Sequence, residues 1–367
     1  MCYMNNVNEQ HAIELLQDLV STASPSGHEH EAVLLLVQRM SALGFRAGID
    51  PAGNAVGVIG SEAPDATEIL LLGHIDTVPG HIPIRVEDGA LWGRGSVDAK
   101  GPLCAFAVAA ATAKIAQDTR LVVIGAVGEE TPSSPGASYA RDHYRPDACL
   151  IGEPSGWERF AIGYKGRLIV RALFEQAAGH SAGPVGSVAE AAIEWHRRVT
   201  SSIAEWNIGH EGLFETIQPS LQAFNTNSDG LRDSASLILG LRLPTWAKPE
   251  DIEARIRRSS PDVSLSFQGH AAAHRGPRTG EVPSALSAAI GSLGGRPTAT
   301  VKTGTSDMNT VATAFGCPIV AYGPGDSTLD HTPHERLDLP EYLRSIEVLR
   351  HAIPQIAAAF SPERCAS

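Results

Sequence analysis

The sequence predicts an α/β protein, a sheet covered by helices on both faces, interrupted by a smaller α+β unit. Short apolar runs at AVGVIG (55–60), EILLLGHID (68–76), RLVVIGAV (120–127) and ACLIGEP (148–154) read as strands buried on both faces. The stretch GPLCAFAVAAATAKIA (101–116) between them reads as a helix, which makes the alternation that of an α/β sheet. From about Gly166 the pattern changes to strand (GRLIVRALFEQ), helix (SVAEAAIEWHRRVTSSIAEW), strand (SASLILGLRLP), helix (PEDIEARIRRSS) and strand (DVSLSFQG), a β-α-β-α-β unit.

The chain starts with two amphipathic helices, EQHAIELLQDLVST and HEHEAVLLLVQRMSALG, the second stopped by Gly44 and the two separated by the turn ASPSGHE. After Arg275 the segment HRGPRTGEVPS returns the chain to α/β character, with CPIVAYGPG a strand and PEYLRSIEVLRHAIPQIAAAF a closing helix. The expected domains are therefore 1–166 with 276–367, and the insertion 167–275. A length of 367 residues fits one large domain carrying an insertion. With 43% hydrophobic and 19% charged residues the chain has a globular balance. Its net charge of −12 argues against nucleic-acid or anionic-membrane partners, which need basic patches. Five cysteines without CxxC spacing suggest neither a zinc ribbon nor a disulfide framework. The start, MCYMNNVNEQ, lacks a basic region followed by an apolar core, and no apolar run approaches the ~20 residues of a membrane span, so a cytoplasmic protein is expected.

Chemistry concentrates where the strands end. Residues i and i+2 of a strand share a side, so His74 and Asp76 emerge together, and open α/β sheets place their sites at carboxyl ends of strands. Asp98 in GRGSVDAKGP precedes an apolar helix, as a ligand or an N-cap; the order of that glycine-rich stretch is not that of a phosphate loop. Glu129 and Glu130 follow VVIGAVG, Glu153 follows CLIG, and STLDHTPHE adds His331. Carboxylates gathered at one sheet edge repel one another, and divalent cations relieve that. Imidazole with carboxylate and no thiolate suits Zn²⁺ or Co²⁺ better than Mn²⁺. An Asp beside a His can accept its second N–H and fix the ring, which sets Asp76 aside; five donors then serve two ions that share one carboxylate, and Glu129 is left over, as a hydrolase's general base would be.

These motifs, GHIDTVP, GRGSVDAKGP, GEE, IGEPS, GHSAGP and HTPHE, in order along nearly the whole chain, resemble the di-zinc aminoacylase and carboxypeptidase family, with its acetylornithine deacetylase and succinyl-diaminopimelate desuccinylase group. The resemblance implies a zinc-exopeptidase-like catalytic domain with a central mixed sheet, and an inserted lid and dimerisation domain. It implies two Zn²⁺, replaceable by Co²⁺: His74 and Glu153 on one, Glu130 and His331 on the other, Asp98 bridging. Asp76 would orient His74, and Glu129 would be the general base. His331 is preferred to His334 because the family's ligand lies four residues before a glutamate, here Glu335. His180, from the inserted domain of a homodimer, would reach the partner's site and stabilise the oxyanion. Arg242 would bind a substrate carboxylate, and Asn225 stands at a substrate-contacting position.

Within the family, GAVGEETPSSPGA, IGEPSGW, GYKGRL and KTGTSDMNT are most similar to the hydrolases that release lysine or ornithine from the γ-carboxyl of a carrier protein's C-terminal glutamate. Lys302, Thr303, Gly304, Thr305 and Ser306 would then line the substrate pocket, and Gly128 stands where these hydrolases often have an acidic residue. Such carriers are acidic, so Arg141, Arg145, Arg159, Lys165 and Arg167 are candidate docking cations. The alternatives are a deacetylase or desuccinylase of small N-acyl amino acids, an aminopeptidase or dipeptidase, and, from another class, a non-catalytic metal-binding protein.

Overall fold

The computed structural model describes residues 9–180 and 186–361. Two compact units divide the chain: one takes the residues up to Gly163, Gly276–Val301 and those from Ser306 on, the other Tyr164–Arg275 with Lys302–Thr305. The insertion therefore starts at Tyr164 rather than 167 and recovers a four-residue stretch, because the Lys165 N–H donates to the Lys302 carbonyl at 3.1 Å.

In the first unit, α1 (Glu9–Ser21) and α2 (His30–Ala42) precede β1 (Arg46–Ile49), β2 (Ala55–Gly60), β3 (Thr67–His74), β4 (Arg85–Glu87) and β5 (Ala90–Trp92). Next come α3 (Lys100–Thr112), β6 (Thr119–Ala126), α4 (Pro135–His143), β7 (Ala148–Gly152) and β8 (Arg159–Tyr164). The insertion holds β9 (Gly166–Ala177), α5 (Val188–Trp206), β10 (Gln218–Ser228), β11 (Arg232–Leu243), α6 (Pro249–Arg258), β12 (Ser264–Ala271) and β13 (His274–Arg275). The first unit resumes with α7 (Glu281–Ser292), β14 (Thr298–Lys302), α8 (Asp307–Phe315), β15 (Ile319–Ala321), β16 (Arg336–Asp338) and α9 (Leu339–Phe360).

The main sheet runs β1-β2-β6-β3-β7-β15-β8, with β14 also on β8. It is mixed: β3 is parallel to β6 and β7, whereas β2 meets β6 antiparallel. Ile69 and Leu71 of β3 join a core with α1, α2, α3, α7 and α9, while Leu70 and Leu72, equally inaccessible, point to the other face. The helices α4 and α8 pack together and against β6 and β3. The helix α3 is apolar almost all round and buried from Lys100 to Ala110, as such a helix must be. Glycines at the strand ends let it approach: a Cβ on Gly152 would meet the Phe106 ring at 3.0 Å and the Gly73 backbone at 3.1 Å.

That packing levels three strand ends. His74 pairs with Ala126, and Gly73 with Gly152, so β3, β6 and β7 stop together and the residues after each strand emerge at one edge. A separate three-stranded sheet, β16-β5-β4, lies in the same unit.

The insertion corrects the expected β-α-β-α-β order to β-α-β-β-α-β, because β10 intervenes between α5 and β11. Its antiparallel sheet runs β10-β11-β9-β12. The edge strand β10 is exposed along nearly its whole length, which leaves it no alternating apolar signature. The helix α5 opens on a capping box of Ser187 and Glu190 and buries Trp195, whose Nε1 donates to the Ser260 hydroxyl at 2.8 Å.

Candidate metal centre

The edge where β3, β6 and β7 end gathers the expected donors. His74 leaves β3 buried, its Nδ1 at 3.0 Å from the Asp76 backbone carbonyl. A carbonyl only accepts, so Nδ1 carries a proton and Nε2 is the atom turned toward the other donors. Nε2 faces Asp98 Oδ1 at 3.2 Å. The other Asp98 oxygen, Oδ2, lies 3.0 Å from His331 Nε2, which is also 2.9 Å from Glu130 Oε1. Asp98 thus stands between the two imidazoles. It does not cap α3, whose N-cap is Ala99 without a side-chain bond. His331 sits at φ 61°, a left-handed conformation uncommon outside glycine.

The Asp76 carboxylate reaches both His74 and the neighbouring turn. Its Oδ1 is 3.5 Å from His74 Nδ1. Its oxygens accept the N–H groups of Glu129 at 3.0 Å and Glu130 at 3.1 Å, and the Ser26 hydroxyl at 2.6 Å. One buried carboxylate therefore ties β3's exit to the turn that bears both glutamates. Gly128, before that turn, has φ 71°, and a Cβ there would meet the Pro135 ring at 2.8 Å, which explains glycine at this position.

Glu335 anchors the opposite side. Its carboxylate accepts the N–H groups of Val97 at 3.0 Å and Asp98 at 3.1 Å, and pairs with Arg94 at 2.7 Å. Fully buried, it fixes the Asp98 loop to the segment carrying His331. His334 is exposed.

Among the described residues two groups have ligand atoms close enough to share an ion: His74, Glu129 and Glu130; and Asp98, Glu130 and His331. Glu153 is in neither, but it is buried, and its charge couples to Asp98, His74 and Glu129. Burial pushes the Glu153 carboxyl well above its usual range, the Asp98 charge adding to this. Burial raises Glu129 likewise, with like charge from Asp307, Glu130 and Asp98 against the pull of His74. Burial would lower His74, yet bonds to Asp76 and Asp98 and nearby negative charge raise it well above the ordinary imidazole value. Burial would raise Asp98, but bonds from His331 and His74 depress it. Mutually repelling carboxylates gathered around two imidazoles, each with Nε2 turned toward a carboxylate, are the donor chemistry of divalent metal once the imidazoles give up a proton, so the residues fit two ions.

His331, bonded to Asp98 and Glu130, is raised to about 10. Metal must displace that proton, so apparent affinity is expected to rise with pH up to about 10, each binding event releasing protons. Calorimetry of Zn²⁺ binding in buffers of differing ionisation enthalpy measures the release. In the metal-free protein the same raised value means that the His331 pairing stabilises the fold below the ordinary imidazole value and is lost as pH rises through about 10.

Asp307 is a participant that the sequence pattern does not single out, although KTGTSDMNT contains it. The first residue of α8, it is 2% exposed, and its carboxylate oxygens have no hydrogen-bond partner of normal geometry among the described residues. Burial raises it to about 7, with His74 and the Ser134 hydroxyl opposing and Asp76 and Glu130 adding to the rise. Ser306 beside it uses its hydroxyl to accept the Met308 N–H at 3.2 Å, a helix cap in a buried position.

Within the insertion, Arg242 Nη1 donates to Thr305 Oγ1 at 3.1 Å, bringing two of the expected substrate contacts together. Asn225 lies exposed on β10 opposite Ser236, and His180 is exposed beyond β9. Lys302, Thr303 and Gly304 are partly to fully accessible. Lys165 is withdrawn as a docking cation: it is fully buried, its Nζ donating to the carbonyls of Leu213 and Thr216 and to Gln218. Arg141 is paired with its neighbour Asp142 at 2.8 Å, Arg145 and Arg159 are exposed, and Arg167 is half-buried.

Two imidazoles facing one aspartate, with glutamates beside them at the carboxyl edge of a helix-covered mixed sheet, form a candidate metal centre, and the relatives of the chain make it a metal-dependent hydrolase of amide bonds. The chain belongs to Peptidase family M20/M25/M40, whose model matches residues 70–355. It is 46% identical over 355 residues to a LysW-lysine hydrolase of Deinococcus radiodurans, covering 95% of this chain and 97% of that one. A LysW-lysine/LysW-ornithine hydrolase of Saccharolobus islandicus is 26% identical across 95% of this chain and 96% of its own. The fold matches an M20 family metallo-carboxypeptidase from Sulfolobus solfataricus with a TM-score of 0.76 at 16% identity, over 95% of this chain and 99% of that one. Among the described residues no helix is long and apolar enough to cross a membrane.

Proposed function

We propose that this enzyme releases lysine or ornithine from the γ-glutamyl end of an amino-group carrier protein in amino-acid biosynthesis. The observation that carries the reading is the 46% identity with the LysW-lysine hydrolase, which extends over 95% of the chain. Two Zn²⁺, or Co²⁺ in their place, would lie with His74 and Glu153 on one side and Glu130 and His331 on the other, with Asp98 shared. When bound they supply Lewis-acid polarisation of the scissile carbonyl and make water more acidic. Glu129 takes the proton of the attacking water and returns it to the departing amine. Its proton affinity, raised by burial, suits a group that takes up a proton and gives it back. Asp76 keeps Glu129 in reach by gripping its N–H.

Arg242, with its planar fork, is the binder of a substrate carboxylate, and His180 the donor to the oxyanion. Asn225, Lys302, Thr303, Gly304 and Thr305 complete the substrate contacts, whereas Ser306 serves by setting the start of α8. A homodimer through the insertion is supported by β10, an exposed edge strand bearing Leu221 and Phe224, which in isolation is a site for pairing with another chain. The test is a substrate panel with Zn²⁺- or Co²⁺-loaded enzyme: lysine- and ornithine-charged carrier, acetylornithine and a dipeptide. Release of the amino acid from the carrier far faster than the other reactions is expected; preference for acetylornithine or the dipeptide overturns the carrier reading.

A further inference from the structure

The sheet β16-β5-β4 carries a feature that hydrolysis itself does not use. Its register sets Arg85 and Arg336 directly opposite Trp92 on either side. Residues so paired share one face of a sheet. Both guanidinium groups lie over the indole, 4.1 Å and 4.7 Å from the ring centroid, so one aromatic side chain orders two like charges side by side. Arg85 donates Nε to Glu87 at 2.9 Å and Nη1 to the Pro83 carbonyl at 3.4 Å; Arg336 donates Nη1 to the His334 carbonyl at 3.1 Å. A guanidinium has five N–H donors, and an exposed ion pair such as Arg85–Glu87 is weak enough to exchange for another carboxylate.

The ladder is tied to the metal centre by backbone. Arg336 follows Glu335, the residue that grips the Asp98 loop, and Gly93, next after Trp92, donates its N–H to the Glu335 carbonyl at 3.4 Å. Beside it lies a hollow of about 310 Å³ whose wall includes Val20, Pro79, Ile82 and Ile84. A Cβ at Gly93 would strike the side chains of Val20 and Ile84, so the hollow's wall reaches the end of the ladder.

We propose that the Arg85–Trp92–Arg336 ladder, with the hollow beside it, docks an acidic polypeptide segment of the protein substrate while that substrate's terminal amide occupies the metal centre. This rests on the carrier reading given above. Charge complementarity selects the occupant: the chain carries −12 overall and repels acidic chains, and two ordered guanidinium forks offer carboxylates bidentate contact on a sheet whose strand β16 directly follows Glu335, the anchor of the Asp98 loop.

The test compares kcat/KM on the charged carrier with kcat/KM on the small amide γ-glutamyl-lysine, for wild-type enzyme and Arg85→Glu, at low and raised salt. Arg85 lies on an edge strand exposed throughout, and Arg85→Gln serves as the milder variant. The ratio of carrier to small-amide kcat/KM is expected to fall about tenfold in Arg85→Glu and less in Arg85→Gln, and the wild-type ratio to fall as salt rises. A ratio unchanged by both substitutions overturns the docking proposal and leaves the hydrolase reading standing. Wild-type enzyme that cleaves the small amide and not the carrier overturns the carrier reading, and the docking proposal with it.

Discussion

Glu129→Gln is expected to lower kcat by roughly 10³-fold while two metal ions per chain remain bound. Glutamine keeps the size of the side chain and the N–H that Asp76 accepts at 3.0 Å, so the turn should stand. What it removes is a carboxylate able to take a proton from water and give it to an amine. Burial and the charges of Asp307, Glu130 and Asp98 raise the proton affinity of Glu129, the direction expected of a group that must both accept and donate a proton. The same residue lies within ligand distance of His74 and Glu130. Metal content measured by atomic absorption therefore discriminates: inactivity with full metal fits a base, whereas loss of an ion makes Glu129 a ligand. Retained turnover excludes both roles.

Asp98→Ala has the second large expected effect, a fall in metal affinity of at least about 10²-fold together with loss of activity. This side chain faces both imidazoles, at 3.2 Å and 3.0 Å, and its loop is fixed by Glu335 through the 3.1 Å bond to its own N–H. Removing the carboxylate leaves His74 and His331 facing each other without the anion between them. In the metal-free variant the His331 imidazole should then titrate below the value of about 10 that Asp98 and Glu130 give it. Competition with a chelating dye measures the affinity, and NMR titration of the imidazole protons measures the shift. Wild-type affinity, or an unmoved His331 titration, would contradict the bridging role.

Legibility in the sequence depends on how local the cause of each feature is. His74, Asp76, Glu129, Glu130 and Glu153 are legible because each comes after an apolar run at a fixed short distance, and the register of β3, β6 and β7 then brings those ends level. The strand β10 is not, because an edge strand exposed along its length has no core face to leave a period-2 pattern. Asp307 is hidden for the opposite reason: nothing in TSDMNT marks an aspartate as buried, and its importance arises only when α8 packs it under the charges of His74 and Asp76. The same holds for Asp76's grip on the Glu129–Glu130 turn, a bond between backbone and side chain 53 residues apart. Lys165, by type a surface cation, proves to be a buried donor to three acceptors, and only packing distinguishes the two.

The measurement closest to the central claim is the intact mass of lysine- or ornithine-charged carrier protein incubated with Zn²⁺-loaded enzyme, with chelator-treated enzyme alongside. The account predicts that the carrier loses the mass of one lysine or ornithine less one water, that the free amino acid appears in equal amount, and that chelation stops both. A carrier whose mass stays unchanged under enzyme that readily hydrolyses acetylornithine or a dipeptide would contradict it.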